Sequence, residues 1–213
     1  VMWIRDSMVI DNGSGPVESL VAQADERRNV IEFCCGENSL IGLRAPESCK
    51  VHRITETVDP TTPAGEMYVL DLLENTSAGL LWCSIPCKAG CTWKHINKKY
   101  PRGLRLWEEA YDQFKKLIVV FVKIARIPRE KGWKICFEWP ESCDLWKESE
   151  VQQMCEEFQL QLTGFHGCQC GVVAQHGQWK GQPIHKAWML ATDEIEISNA
   201  FDDLKCKGHP VIN

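Results

Sequence analysis

Leu81-Trp82-Cys83-Ser84-Ile85-Pro86-Cys87 and Lys134-Ile135-Cys136-Phe137-Glu138-Trp139-Pro140 are the two stretches on which the fold turns. Each is an apolar run closed by a proline and one reactive side chain, a thiol in the first and a carboxylate in the second. Apolar runs without alternation are the pattern of strands buried on both faces of a parallel sheet. Ligands of open α/β sheets bind just beyond the carboxyl ends of such strands. Neighbouring strands lie about 4.8 Å apart, so adjacency would bring Cys87 and Glu138 into one small site. A thiol held beside a carboxylate at a sheet's edge suggests covalent catalysis with acid assistance.

Outward from these runs, further strands are expected at Val30–Phe33, Lys50–Thr55 and Leu160–Phe165. Residues 1–17 contain Gly13, Gly15 and Pro16 and read as a loose arm, followed by a short helix from Val17 to Arg28. Helices are expected at Ala64–Leu73, Leu145–Phe158 and Glu194–Leu204. The strongest helical signal is a stripe of apolar residues recurring in steps of one, three and four from Leu104 to Ala125. The end reads as antiparallel: Gly171–Gln175, a turn with Gly177 and Gly181, then Ile184–Ala191. Alternating strands and helices closed by such a pair predict an α/β three-layer sandwich, with a Rossmann-like, mostly parallel sheet and a C-terminal antiparallel hairpin. The expected division is an arm with a short helix over 1–28 and one catalytic domain over 29–213.

A chain of 213 residues, 44% hydrophobic, is long enough for one well-filled core and too apolar for disorder. Its longest apolar run, Leu117 to Val122, falls far short of the roughly 18 residues a membrane span needs. Several of the twelve cysteines sit inside apolar runs (Cys34, Cys35, Cys83, Cys136) and read as buried thiols, not a disulfide framework. A reduced, intracellular protein of cytoplasm or nucleus, without a membrane partner, is expected. The opening on Val1 suggests a processed product or a piece of a polyprotein, whose other parts would then be partners. A net charge of −5 argues against a general nucleic-acid coat protein. The charge is uneven, however: from Asn75 to Trp107 no residue is acidic, while Lys88, Lys94, Lys98, Lys99, Arg102 and Arg105 all fall there. That loop reads either as a solvated surface or as a phosphate-binding edge beside Cys87.

Taken in order, these motifs resemble those of the class I S-adenosylmethionine-dependent methyltransferases, and among them compact, phage-like cytosine-5 DNA methyltransferases. Glu32-Phe33-Cys34-Cys35-Gly36-Glu37-Asn38-Ser39 is similar to the family's first motif, an acid and a glycine turn after the first strand. Pro86-Cys87 resembles its proline–cysteine nucleophile motif. Glu138-Trp139-Pro140 resembles its Glu-Asn-Pro motif, with tryptophan where asparagine is usual. Gly167 to Gly171, then Pro183 to Trp188 and Ala191-Thr192, resemble the late strand of phage-like members. The resemblance implies a catalytic pair, Cys87 and Glu138, and S-adenosylmethionine held by Glu32, Phe33, Cys35, Gly36, Asn38, Ser39 and Pro86. It places Glu56 on the cofactor's ribose and Asp59 near its adenine. Nucleic acid, DNA ahead of RNA, would be met by Lys88, Lys94, Lys98 and Lys99, with Trp93 or Trp139 stacking on an extruded base. No metal is implied, and there is no room for a separate target-recognition domain within these residues.

For that family the thiolate attacks the sixth carbon of cytosine, the carboxylate holds the third ring nitrogen, and the fifth carbon takes the methyl group. Nearby cations such as Lys88 would favour the thiolate, and apolar flanks would keep Glu138 protonated. Two other readings use the same residues. One is a methyltransferase-like fold without activity, serving as a binding module of a mobile-element or viral polyprotein. The other is structural zinc: Cys83, Cys87, Cys91 and His95 recur every four residues, and His166, Cys168 and Cys170 every two, with Cys206 or His209 as further donors. Pro86 opposes a helix through the first set.

Overall fold

The computed structural model describes residues 28–208, so the arm and short helix expected before Arg28, and His209, lie outside the described residues. The chain is α/β, with six strands in one mixed sheet. In order along the chain come β1 (Arg28–Phe33), α1 (Leu40–Arg44), β2 (Cys49–Ile54), α2 (Pro63–Glu74) and β3 (Gly79–Cys83). Then follow a 3-10 turn (Lys88–Gly90), α3 (Lys94–Asn97), α4 (Pro101–Glu130) and β4 (Lys134–Pro140). After a second 3-10 turn (Asp144–Lys147) come α5 (Ser149–Glu157), β5 (Gln161–His166), β6 (Ala187–Thr192) and α6 (Ile195–Asp202).

The strand order is β2-β1-β3-β4-β6-β5. β2, β1, β3 and β4 pair in parallel, whereas β6 runs antiparallel to both β4 and β5. The two apolar runs that end in Cys87 and in Glu138-Trp139-Pro140 therefore lie on neighbouring strands, with Cys83 opposite Phe137. Side-chain alternation sends Ile31, Phe33, Leu81, Cys83, Ile135 and Phe137 into one cluster, packed with α2, α4 and α5. It sends Trp82, Cys136, Leu190 and Phe165 into another, with Phe201 of α6 and Ile41 of α1 against it. α4 is the main buttress: the expected stripe buries Phe114, Leu117, Ile118, Phe121 and Ala125, and Ile124, outside that stripe, is buried with them. Pro101 starts this helix at a position where no amide partner is needed, and Gly132, at φ +80°, follows its end.

Two expectations are corrected. Gly171–Gln175 is not a strand; only Val173 bridges to Pro183, and the antiparallel partner of β6 is β5. Left-handed Gly171, Gly177 and Gly181 turn the chain too often for a ladder to continue. The helix expected over Leu145–Phe158 is divided, because the 3-10 turn ends before α5 starts at Ser149. β4 also runs on through Glu138 to Pro140, since β6 supplies a partner there.

Candidate active site

Past the last β3–β4 pair, the β3 chain becomes a loop pinned at several points. The Ser84 amide donates to the Phe33 carbonyl at 3.0 Å, continuing the ladder by one bond. The Trp139 indole Nε1 donates to the Ile85 carbonyl at 2.5 Å, and Trp107 Nε1 donates to the Ala89 carbonyl at 2.9 Å. Ile85 and Ala89 are buried, Pro86 is half-buried between them, and Cys87 stays half-exposed. Cys87 opens into a cleft of about 670 Å³ shared with Cys91, Trp93, Cys143, His185 and Lys186. Burial pushes the Cys87 thiol above its ordinary range, and the Lys186 ammonium pulls the other way.

Glu138 stands one residue beyond the last β3 partner of β4. Trp82 Nε1 donates to Ser84 Oγ at 3.1 Å, and Ser84 Oγ donates to Glu138 Oε1 at 3.1 Å. An indole, a hydroxyl and a carboxyl thus form a short chain across the strand ends. Burial raises the Glu138 pKa; the Ser84 bond and Lys186 oppose this, and the Glu32 charge adds to it. No direct hydrogen bond joins Cys87 to Glu138; the Lys186 charge acts on both, and the Glu138 charge itself raises the Cys87 thiol pKa.

The residues expected to hold a cofactor gather at the ends of β1 and β2. Glu32 is buried; Ser39 Oγ donates to its Oε1, while its Oε2 is buried with no partner. Burial lifts the Glu32 pKa. Ser39 also caps α1, accepting from the Ile41 amide. The left-handed residue of this turn is Cys34, at φ +61°, whereas Gly36 faces open space. Asn38 and Glu56 are exposed. Asp59 Oδ1 accepts from the amide and hydroxyl of Thr61 at 2.9 and 2.7 Å, shaping the entry to α2. Neither cleft described in this molecule includes Glu32, Gly36 or Glu56.

Three assignments change. The Phe33 side chain is fully buried, 5.3 Å from Phe121 between ring centres, so it is core and offers a ligand no side-chain contact. The Cys35 thiol is likewise turned inward, toward the Ile54 carbonyl. Trp139 is 2% exposed and packs among Phe114, Phe137 and Trp146. It cannot stack on a base; it holds the Cys87 loop instead. Trp93, 65% exposed on the Cys87 cleft, keeps that possibility. The basic "loop" is built largely of helix, and its lysines differ. Lys94 pairs with Asp144 at 2.7 Å, Lys98 lies 3.0 Å over the Trp107 ring, and Lys88 and Lys99 are exposed.

Ser84, His185 and Lys186 were missed by sequence reasoning. For Lys186 the available signal is its place just before β6, the strand that returns beside the end of β4. Among the described residues no three His, Cys, Asp or Glu side chains are grouped to hold a metal ion. His166 and His185 do meet, at 3.2 Å between ring nitrogens, and His166 Nδ1 also accepts from the Cys206 amide. All twelve cysteines are free, and no helix among the described residues is long and apolar enough to cross a membrane. No protein-family model matches the chain, and no curated protein matches it.

Proposed function

We propose that the protein transfers a methyl group from S-adenosylmethionine to carbon 5 of cytosine in nucleic acid, with Cys87 as nucleophile and Glu138 as acid. The observation that carries this reading is the placement of Cys87 and Glu138 just past the last pair that joins the adjacent parallel strands β3 and β4, with Lys186 lining the Cys87 cleft and its charge acting on both. The mostly parallel sheet with helices on both faces accords with a Rossmann-like sandwich. Cofactor binding is supported by the unpartnered buried Oε2 of Glu32, the open backbone at Gly36 and the exposed carboxylate of Glu56. Asp59 fits less well, because Thr61 already engages it. When bound, S-adenosylmethionine supplies an electrophilic methyl group.

The protein's own residues do the rest. The Cys87 thiol gives up its proton to solvent, and the sulfur bonds to carbon 6 of the ring. Glu138, whose pKa burial raises, delivers its proton to ring nitrogen 3 and neutralises the charge that the new bond pushes into the ring. Carbon 5 takes the methyl group, and loss of the carbon 5 proton to solvent, return of the nitrogen 3 proton to Glu138 and departure of the thiolate then restore the aromatic ring. Lys186 favours the thiolate electrostatically.

A strand containing 5-fluorocytosine, which has no carbon 5 proton to lose, should therefore leave a covalent adduct on Cys87 in the presence of cofactor. Cys87→Ala should abolish the adduct and keep cofactor binding. Glu138→Gln should slow it about a hundredfold or more, and Cys83→Ala, within the buried strand, should leave it intact. An adduct that survives Cys87→Ala would sink the assignment. One feature favours a second reading, a binding module without catalysis: burial raises the pKa of the Cys87 thiol and so disfavours the thiolate. On that reading the cofactor binds and no adduct forms with any substrate.

A further inference from the structure

The Cys87 loop and α3 form a ridge between two clefts. Sequence neighbours fall on its opposite sides: Cys87 and Trp93 line one cleft, Lys88 and Lys94 the other. The second cleft, of about 640 Å³, continues over the first turns of α4 past Tyr100, Arg102 and Trp107. Trp93 and Tyr100 are each 65% exposed, so one large ring stands largely in solvent on either side of the ridge.

The cations around these rings are unevenly committed. Lys94 is neutralised by Asp144, and Lys98 lies against Trp107. Lys88, Lys99 and Arg102 have no ion-pair partner among the described residues. Glu109 is the one acid lining the second cleft. Exposed rings that can stack on bases, interleaved with uncommitted cations that can track phosphates, form the surface that binds single strands. A duplex keeps the faces of its bases covered, and neither ring can reach them until it is opened.

We propose that the substrate is single-stranded nucleic acid lying across both clefts, with the target base beside Trp93 at Cys87 and neighbouring nucleotides along Tyr100 and Arg102. This rests on the methyl-transfer reading, which puts a base at Cys87. It adds that the ridge is a saddle under the strand and that the target base arrives already unstacked.

The test is fluorescence anisotropy on the full chain, without cofactor, over a salt series. The probes are a labelled DNA strand of about 16 nucleotides, the RNA of the same sequence, and the corresponding DNA duplex. At least one single strand should bind tenfold or more tighter than the duplex; the comparison of DNA with RNA identifies the sugar, and either satisfies the proposal. Tyr100→Ala and, separately, Trp93→Ala should each weaken the single strand about tenfold. Lys88→Gln combined with Arg102→Gln should lower the salt slope by about 1.4, or about 0.7 for each phosphate that no longer meets a cation. Arg126→Gln, which breaks an exposed pair with Glu157, is the control and should change nothing. Duplex binding as tight as either strand, or an unchanged slope in the double variant, would overturn the proposal. An adduct formed on duplex with no preference for single strands would sink this inference alone. Single-strand binding with these signatures but no adduct and no methyl transfer would sink the catalytic reading and leave the saddle standing.

Discussion

The carboxyl ends of β1 and β3 are made of the same materials and use them in opposite ways. At the end of β1, Glu32 is tied to Ser39, and burial pushes the thiols of Cys34 and Cys35 up to about 12 and about 11. At the end of β3, Cys83 is fully buried in the same fashion. Four residues later, Cys87 stands half-exposed in a cleft that also holds Lys186. Residue type therefore does not decide which thiol can react. What decides it is whether the chain has been carried past its last ladder partner and then held there. Ser84, Ile85 and Ala89 are the points at which this loop is held.

The sharpest way to break that comparison is to alkylate the native protein with iodoacetamide and map the products by mass spectrometry. The reactive species is the thiolate. Cys87 should be modified far ahead of Cys34, Cys35 and Cys83, the largest contrast expected. Because the Cys87 pKa lies above its ordinary value, its rate should still be climbing between pH 7 and pH 9, by about tenfold per unit. Lys186→Gln removes the cation that favours the thiolate, so it should move the Cys87 profile to higher pH and slow labelling at pH 8. Equal labelling of Cys34 and Cys87, or a profile that Lys186→Gln leaves in place, would dissolve the distinction between the two ends.

Next in size is the tryptophan that holds the loop. Trp139→Ala removes a buried ring from an aromatic cluster, and a loss of about 3–5 kcal/mol is expected in denaturant unfolding. Trp139→Phe is more informative, because it keeps most of the packing and removes the indole donor to Ile85. Leaving that buried carbonyl unpartnered should cost about 1–3 kcal/mol. If the bond positions Cys87, Trp139→Phe should also change the alkylation rate of Cys87 and leave those of Cys34 and Cys35 alone.

The parts of this molecule that were legible in sequence are those governed by local pattern. β3 and the first half of β4 are apolar runs, β1 ends in Val30–Phe33, and the stripe on α4 is buried at Phe114, Leu117, Ile118, Phe121 and Ala125, while Leu104 at its start is exposed. Cys87 and Glu138 were legible as a pair because both follow such runs and the two strands proved adjacent. What stayed hidden depends on partners distant in the chain. Trp139 looks like an exposed strand-end residue until β6 pairs alongside and extends β4 beneath it. Lys186 lies nearly half the chain away from Cys87, and only the reversal of β6 returns it to the site. The β1 turn differs again: glycine tolerates left-handed backbone most readily, yet the structure puts that conformation at Cys34 and not at Gly36.

That exchange yields the smallest effect and a direct test of the turn. A left-handed residue other than glycine costs about 1–2 kcal/mol, so Cys34→Gly should relieve strain. Part of the gain is offset by the greater freedom of glycine in the unfolded chain and by lost packing, since Cys34 lies against the main core cluster. The net expectation is a melting temperature unchanged or raised by about 2 °C, whereas Cys34→Val, with a branched side chain at positive φ, should lower it. Gly36→Ala should behave in the opposite sense to the usual glycine of a tight turn. Its added methyl meets nothing within 4 Å, and its backbone is not left-handed, so stability should hold or rise by about 0.4–1 kcal/mol. Gly36→Trp should fold equally well yet weaken S-adenosylmethionine in calorimetry, because it fills the open backbone face assigned to that ligand. A clear loss of stability in Gly36→Ala, paired with one in Cys34→Gly, would mean that the strained residue of the turn is Gly36 after all. The two strand ends would then differ in their thiols alone and not in how their turns are made.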